Sequence, residues 1–276
     1  GSVRRVTTTD PGLGQAGLPA ASVAELLRRN AADPTVASRP AIRWEDRTWT
    51  HAEYLRESAR WAQLFLAHRR EGMPLHVAVL LDNGPEYLFA FGGAALSGGV
   101  VGGVNHTRGG EHLLHDVTHT DCVLLVWDPR HAELVDGVLD RLPAQLAVGP
   151  ELDAALAGMP DDDPHLEAGL AEPWALIFTS GTSSAPKAVI CSQRRILQTG
   201  ARMAALMDLG PDDVGYVSMP LFHSNSIMVG WAPSVVVGAS VWLAPRFTAS
   251  GFLPDVRRYG ATYFNSARAN GIGFWG

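Results

Sequence analysis

The chain has 276 residues, of which 46% are hydrophobic and 18% charged, and a formal net charge of -6. That is ample for a packed core and excludes an intrinsically disordered chain, while the mild acidity gives no electrostatic case for nucleic acid. No apolar run nears the ~20 residues that a membrane-spanning helix needs, so membrane contact is confined to the periphery.

Cys122 and Cys191 sit inside apolar runs, and no signal-peptide pattern opens the chain. The reading is a cytoplasmic protein with buried, reduced thiols.

In chain order, residues 1–20 are polar with Gly and Pro and read as a flexible arm. A helix is expected over 23–30 and a strand over 41–44. Thr50 and Glu53 then form a Thr-x-x-Glu capping box, after which Tyr54, Ser58, Trp61 and Phe65 share one helical face. A strand over 76–82 leads to Asn83-Gly-Pro, which starts a Gly-rich helix ending at Gly98-Gly99. Glycine inside a helix costs up to ~1 kcal/mol relative to alanine, so Gly92 and Gly93 imply a close backbone approach.

Further strands are expected over 100–104, 122–127 and 146–148, with helices over 111–118 and 131–142. His112, His115 and His119 have helical spacing, but no carboxylate or cysteine motif completes a metal site, and a solvated amphipathic face accounts for them. After the surface connection Asp161-Asp-Asp-Pro164 come strands over 174–179 and 188–192, a helix over 193–207, and strands over 215–219, 240–244 and 261–264. Buried apolar strands alternating with helices argue for an α/β fold with largely parallel sheets. The expected division is the arm, a first α/β subdomain over 21–160 and a second over 161–276.

The chemistry concentrates in Leu176-Ile-Phe-Thr-Ser-Gly-Thr-Ser-Ser-Ala-Pro-Lys-Ala-Val189. An apolar run leads into a loop of hydroxyls and small side chains that one lysine closes. Small residues let backbone amides approach an anion, hydroxyls donate to phosphate oxygens, and lysine adds a point charge. The spacing Gly181 to Lys187 superficially follows a nucleotide-binding P-loop, yet Pro186 replaces its glycine and Ala188 its metal-binding hydroxyl. A Thr-Ser-Gly-Thr turn between strands, taken alone, need bind nothing.

Phe178-Thr-Ser-Gly-Thr-Ser-Ser-Ala-Pro-Lys187 resembles the T-S-G-T-T-G-x-P-K signature of the adenylate-forming superfamily, which includes acyl-CoA synthetases, luciferases and the adenylation domains of peptide synthetases. The resemblance implies the large N-terminal domain of that fold, stacked mostly parallel sheets flanked by helices, here incomplete. It also implies that Thr179, Ser180, Gly181, Thr182, Ser183, Ser184 and Lys187 hold the phosphates of ATP while a carboxylate attacks the α-phosphorus. Ser184 departs from the family, which usually has glycine there.

Arg47-Thr-Trp-Thr-His-Ala-Glu-Tyr-Leu55 and the Gly-rich segment 87–106 resemble two structural blocks of the same superfamily. Met219-Pro-Leu-Phe-His-Ser-Asn-Ser226 resembles its Pro-Leu-[FY]-His-x-x-[GN] block, which implies that Phe222, His223 and Asn225 border the acyl site. A fatty carboxylate is already ionised at neutral pH, so His223 is assigned positioning and gating rather than general-base work.

Pro186-Lys-Ala, Pro220-Leu-Phe-His-Ser and Arg246-Phe-Thr-Ala-Ser carry a closer resemblance to fatty-acid–CoA ligases of the very-long-chain and fatty-acid-transport-protein-like branch, and the Ala/Gly/Arg-rich composition points to an actinobacterium. The implied substrates are a fatty acid, ATP and CoA, with Mg2+. The family's Tyr-Gly-x-Thr-Glu block, ribose-binding aspartate and C-terminal catalytic lysine have no counterpart in the sequence. No complete catalytic set or metal ligand is therefore assigned, and an N-terminal portion with little or no activity alone is expected. A fatty acyl-AMP ligase and a non-catalytic acyl- or nucleotide-binding remnant or assembly protein are the alternatives. An uncovered sheet edge makes a homo-oligomer the expected state.

Overall fold

The computed structural model describes residues 17–179, 187–265 and 272–274, with the side chains of 179, 187 and 272–274 excepted. The first part of the chain forms α1 (Val23–Ala32), β1 (Pro40–Trp44), β2 (Arg47–Thr50), α2 (His51–Ala67), β3 (His76–Leu80), α3 (Pro85–Ser97) and β4 (Val100–Gly103). There follow α4 (Glu111–His119), β5 (Cys122–Trp127), α5 (Ala132–Val135), β6 (Ala144–Ala147), α6 (Pro150–Ala157), β7 (Pro173–Thr179) and β8 (Lys187–Ser192). The remainder forms α7 (Gln193–Leu206), β9 (Val214–Val217), α8 (Ala232–Val237), β10 (Ser240–Leu243), α9 (Ala249–Tyr259), β11 (Tyr263–Asn265) and β12 (Ile272–Phe274). The mixed α/β class with mostly parallel sheets is as the sequence implied.

Capping chemistry sets several boundaries. Ser22 Oγ accepts from Glu25 N at 3.0 Å to start α1. The capping box at α2 is closed in both directions, Glu53 N donating to Thr50 Oγ1 and Thr50 N to Glu53 Oε2. Gly260, at φ 64°, ends α9 in the left-handed conformation that glycine adopts at no steric cost.

The chain divides into two compact units that interleave along the sequence. One comprises residues through Leu55, Asn83–Pro85 and those from Gln193 onward; the other comprises Arg56–Asp82 and Glu86–Ser192.

The unit spanning Arg56–Asp82 and Glu86–Ser192 contains a six-stranded sheet of order β6-β5-β3-β4-β7-β8. All pairs are parallel except β7 with β8. Every residue of β4 and nearly every residue of β3 and β5 is buried, the continuous apolar signature of a sheet covered on both faces. Ala78, Leu80, Leu113, Val117, Leu125 and Val135 form its core. A Cβ on Gly93 would stand 2.7 Å from Trp61 Cβ and 3.2 Å from the Ala62 amide nitrogen. The close approach expected at this glycine is thus that of α3 on α2.

The other unit holds a sheet of order β12-β11-β9-β10-β1-β2, parallel from β11 to β1 and antiparallel at both ends. Val214, Tyr216, Trp242, Ala244 and Val256 form a core cluster beside it.

The expected helix over 131–142 is not formed. A 3₁₀ turn (Pro129–His131), the single turn α5 and a second 3₁₀ turn (Leu139–Arg141) replace it. Gly137, at φ 70°, breaks the run. The structure adds α6, α9 and a π-helical turn (Ser226–Trp231) that continues into α8, beyond the elements expected from sequence. His112, His115 and His119 lie on the exposed face of α4, as expected. Both cysteines are buried and neither is in a disulfide. Among the described residues no helix is long and apolar enough to cross a membrane.

Candidate functional site

The hydroxyl-rich loop is flanked by a β-hairpin. β7 and β8 pair antiparallel with Phe178 opposite Ala188 and Thr179 opposite Lys187. The first and last of the sequence-assigned phosphate residues are therefore cross-strand neighbours. Ser180, Gly181, Thr182, Ser183 and Ser184 lie outside the described residues, as do the side chains of Thr179 and Lys187.

β7 is anchored from within its own unit. Trp174 Nε1 donates to Phe91 O at 3.1 Å, and the two rings lie 5.1 Å apart. Gly102 on β4 makes room for Phe178: a Cβ there would lie 3.3 Å from its ring. Since β7 runs parallel to β4, the loop leaves the sheet at the C-terminal edge of its parallel strands, where ligands of open α/β sheets bind.

The second block, Met219–Ser226, belongs to the other unit. Phe222 is buried, His223 exposed and Asn225 intermediate. The rings of Phe222 and His223 lie 4.3 Å apart. Desolvation pushes the His223 pKa below its ordinary value, so the ring is neutral at neutral pH and presents one donor and one acceptor. His223 O accepts from Ser226 N at 3.1 Å, and Ser226 Oγ donates to Met219 O at 3.0 Å, which curls the block into the π-helical turn.

Two asparagines outside the motif hold this block, and the sequence reading missed their role. Asn83, 4% exposed, accepts from Leu221 N at 2.9 Å. Its amide nitrogen donates to Met219 O at 3.0 Å and to Ala244 O at 3.1 Å, tying the block to the end of β10. Asn265 Nδ2 donates to Asn225 Oδ1 at 2.6 Å. In the sequence Asn83 marks only the start of a helix, because its partners lie more than 130 residues downstream.

Comparison with known proteins places the chain. The family described as AMP-binding enzyme matches residues 27–269. A steroid-22-oyl-CoA synthetase of Rhodococcus jostii is 43% identical over 233 residues, covering 82% of this chain and 41% of the relative. A medium/long-chain-fatty-acid–CoA ligase of Mycobacterium tuberculosis, FadD17, is 40% identical over 225 residues, covering 81% and 44%. The crystal structure of the N-terminal domain of FACL13 from M. tuberculosis superposes with a TM-score of 0.81 at 19% identity, covering 90% of this chain and 63% of that one. The chain thus spans about two fifths of the length of these curated relatives. It belongs to the AMP-binding enzyme family, with the fold of the N-terminal domain of adenylate-forming enzymes.

Proposed function

We propose that this chain is the phosphate-gripping and acyl-bordering portion of an AMP-forming fatty-acid–CoA ligase. In that reaction a carboxylate oxygen bonds to the α-phosphorus of ATP and pyrophosphate leaves. The CoA thiol then adds to the acyl-adenylate carbonyl, AMP departs, and the thiol proton passes to solvent. ATP supplies the activated phosphorus, and this chain's residues bind and orient it. Thr179, Ser180, Thr182, Ser183 and Ser184 would donate hydroxyl hydrogen bonds, Gly181 a close backbone amide, and Lys187 a charge. Phe222, His223 and Asn225 would line the acyl side. The observation that carries the reading is the antiparallel pairing that sets Thr179 against Lys187 at the C-terminal edge of a parallel sheet.

Mg2+ does not fit the described residues. The cluster among them suited to a metal joins two imidazoles to one carboxylate, whereas Mg2+ takes oxygen ligands. No step here runs through it.

Calorimetric titration with ATP tests the reading. Loss of a charge-assisted contact worth about 1.5–3 kcal/mol should weaken ATP binding at least ~10-fold in Lys187→Ala. Equal affinity in wild type and variant overturns the phosphate role. The 43% identity to a steroid-22-oyl-CoA synthetase favours a second reading of the acyl group, a carboxylated steroid side chain. Preference for a steroid carboxylate over palmitate in competition would select it.

A further inference from the structure

Three residues that the phosphate site does not use meet at the C-terminal edge of the sheet β6-β5-β3-β4-β7-β8. Asp82 follows β3, His106 follows β4 and His131 follows β5. The chain passes from β3 to β4 on one side and then returns to place β5 on the other side of β3. Asp82 and His131 thereby flank a topological switch point, where the connections part and leave a crevice.

The geometry is that of a ligand set. Asp82 Oδ1 lies 2.9 Å from His131 Nε2 and 3.4 Å from His106 Nδ1, and one donor atom from each residue lies within 4.8 Å of the others. Around a tetrahedral ion with bonds of about 2.0–2.2 Å, neighbouring donors stand ~3.3 Å apart, so shifts below an ångström would seat one. The side chains are 16–30% exposed, sheltered yet reachable from solvent.

The surroundings orient the ligands. His106 Nε2 stands 3.0 Å from Leu81 O. A carbonyl only accepts, so this nitrogen carries a proton, and the tautomer with its one proton there turns the Nδ1 lone pair toward Asp82. Metal-binding histidines characteristically anchor the far nitrogen in this way. Arg130 Nη1 holds the other Asp82 oxygen at 3.1 Å, leaving Oδ1 directed at the imidazoles. Asp128, which bonds Arg130, adds a second negative charge to the neighbourhood.

We propose that Asp82, His106 and His131 bind a divalent transition metal ion of the zinc type through Oδ1, Nδ1 and Nε2, with water or a small anion in the fourth position. Two imidazoles select such ions over Mg2+ and Ca2+. As the ion takes His131 Nε2, the ring proton of the neutral imidazole sits on Nδ1 and none is released. The site does not depend on the ligase reading.

Calorimetric titration of the whole chain with zinc chloride tests the site, with magnesium chloride as the competing hard cation. One zinc ion per chain is expected, unaffected by magnesium, and weakened at least ~10-fold in His106→Gln and in His131→Gln. The stacked pair His115 and His119, with rings 5.2 Å apart, is the rival chelator, so His115→Ala should leave binding unchanged. Modification of the unaltered chain with diethyl pyrocarbonate, mapped by peptide mass, needs no folded variant. Zinc should protect His106 and His131 selectively. No zinc binding by the folded chain, binding lost in His115→Ala but kept in His131→Gln, or protection confined to α4 would each overturn the proposal.

Discussion

Asn83→Ala is the most informative single perturbation, because one buried side chain fastens the Met219–Ser226 block. Truncation removes an acceptor from Leu221 N and two donations, to Met219 O and Ala244 O. All three backbone groups lose a partner at a site only 4% exposed. At about 1 kcal/mol per neutral hydrogen bond the loss is ~3 kcal/mol, roughly two powers of ten in an equilibrium constant. Asn83→Asp keeps the acceptor but points a carboxylate at two carbonyls, so it should be no milder. Urea unfolding followed by circular dichroism reads the global effect, and hydrogen exchange at the Leu221 amide reads the local one. An unfolding loss below about 0.5 kcal/mol, together with unchanged Leu221 protection, would refute the assignment.

Gly93→Ala should lower the thermal midpoint although alanine favours helix. The new methyl meets Trp61 Cβ and the α2 backbone, an overpacking cost of about 1–3 kcal/mol against a propensity gain of up to ~1 kcal/mol; a raised midpoint counts against the packing argument. His51 is buried, and desolvation holds its pKa below the ordinary value while its Nε2 donates to Gly238 O. The unfolded chain then binds the extra proton first. The stability held by the neutral ring is complete above about pH 6.5 and falls as pH drops toward the native pKa, so His51→Gln should flatten that slope in urea titrations at several pH values. β8 is an edge strand exposing 40% of Val189 and 59% of Ile190. Such edges pair between copies, so Ile190→Lys should shift the mass seen by light scattering toward monomer; an unchanged assembly would place any interface elsewhere.

The parallel sheets were legible because β3, β5 and β7 are apolar runs bounded by turn residues, a pattern set by burial on both faces. The β7–β8 hairpin is legible because a stretch of hydroxyl and small residues separates two apolar runs, and the Thr50–Glu53 box because capping acts across three residues. The apolar spacing over 131–142 fits a helix that the structure lacks, because Gly137 adopts the left-handed backbone. Asn83 was opaque because its partners lie 136–161 residues away. The same holds for Asp82, His106 and His131: steps of about 25 residues match no metal-ligand spacing, and only the order of strands in the sheet brings them together.

The pairing of β1 with β10 reaches far along the chain, setting Ile42 beside Val241. During synthesis the first strand leaves the ribosome well before its parallel neighbour exists, at rates of about 5–20 residues per second. The intervening stretch that forms the other sheet is available to collapse meanwhile. Loop closure across such a distance slows the final zippering, so among the described strands β1 waits longest for its parallel neighbour.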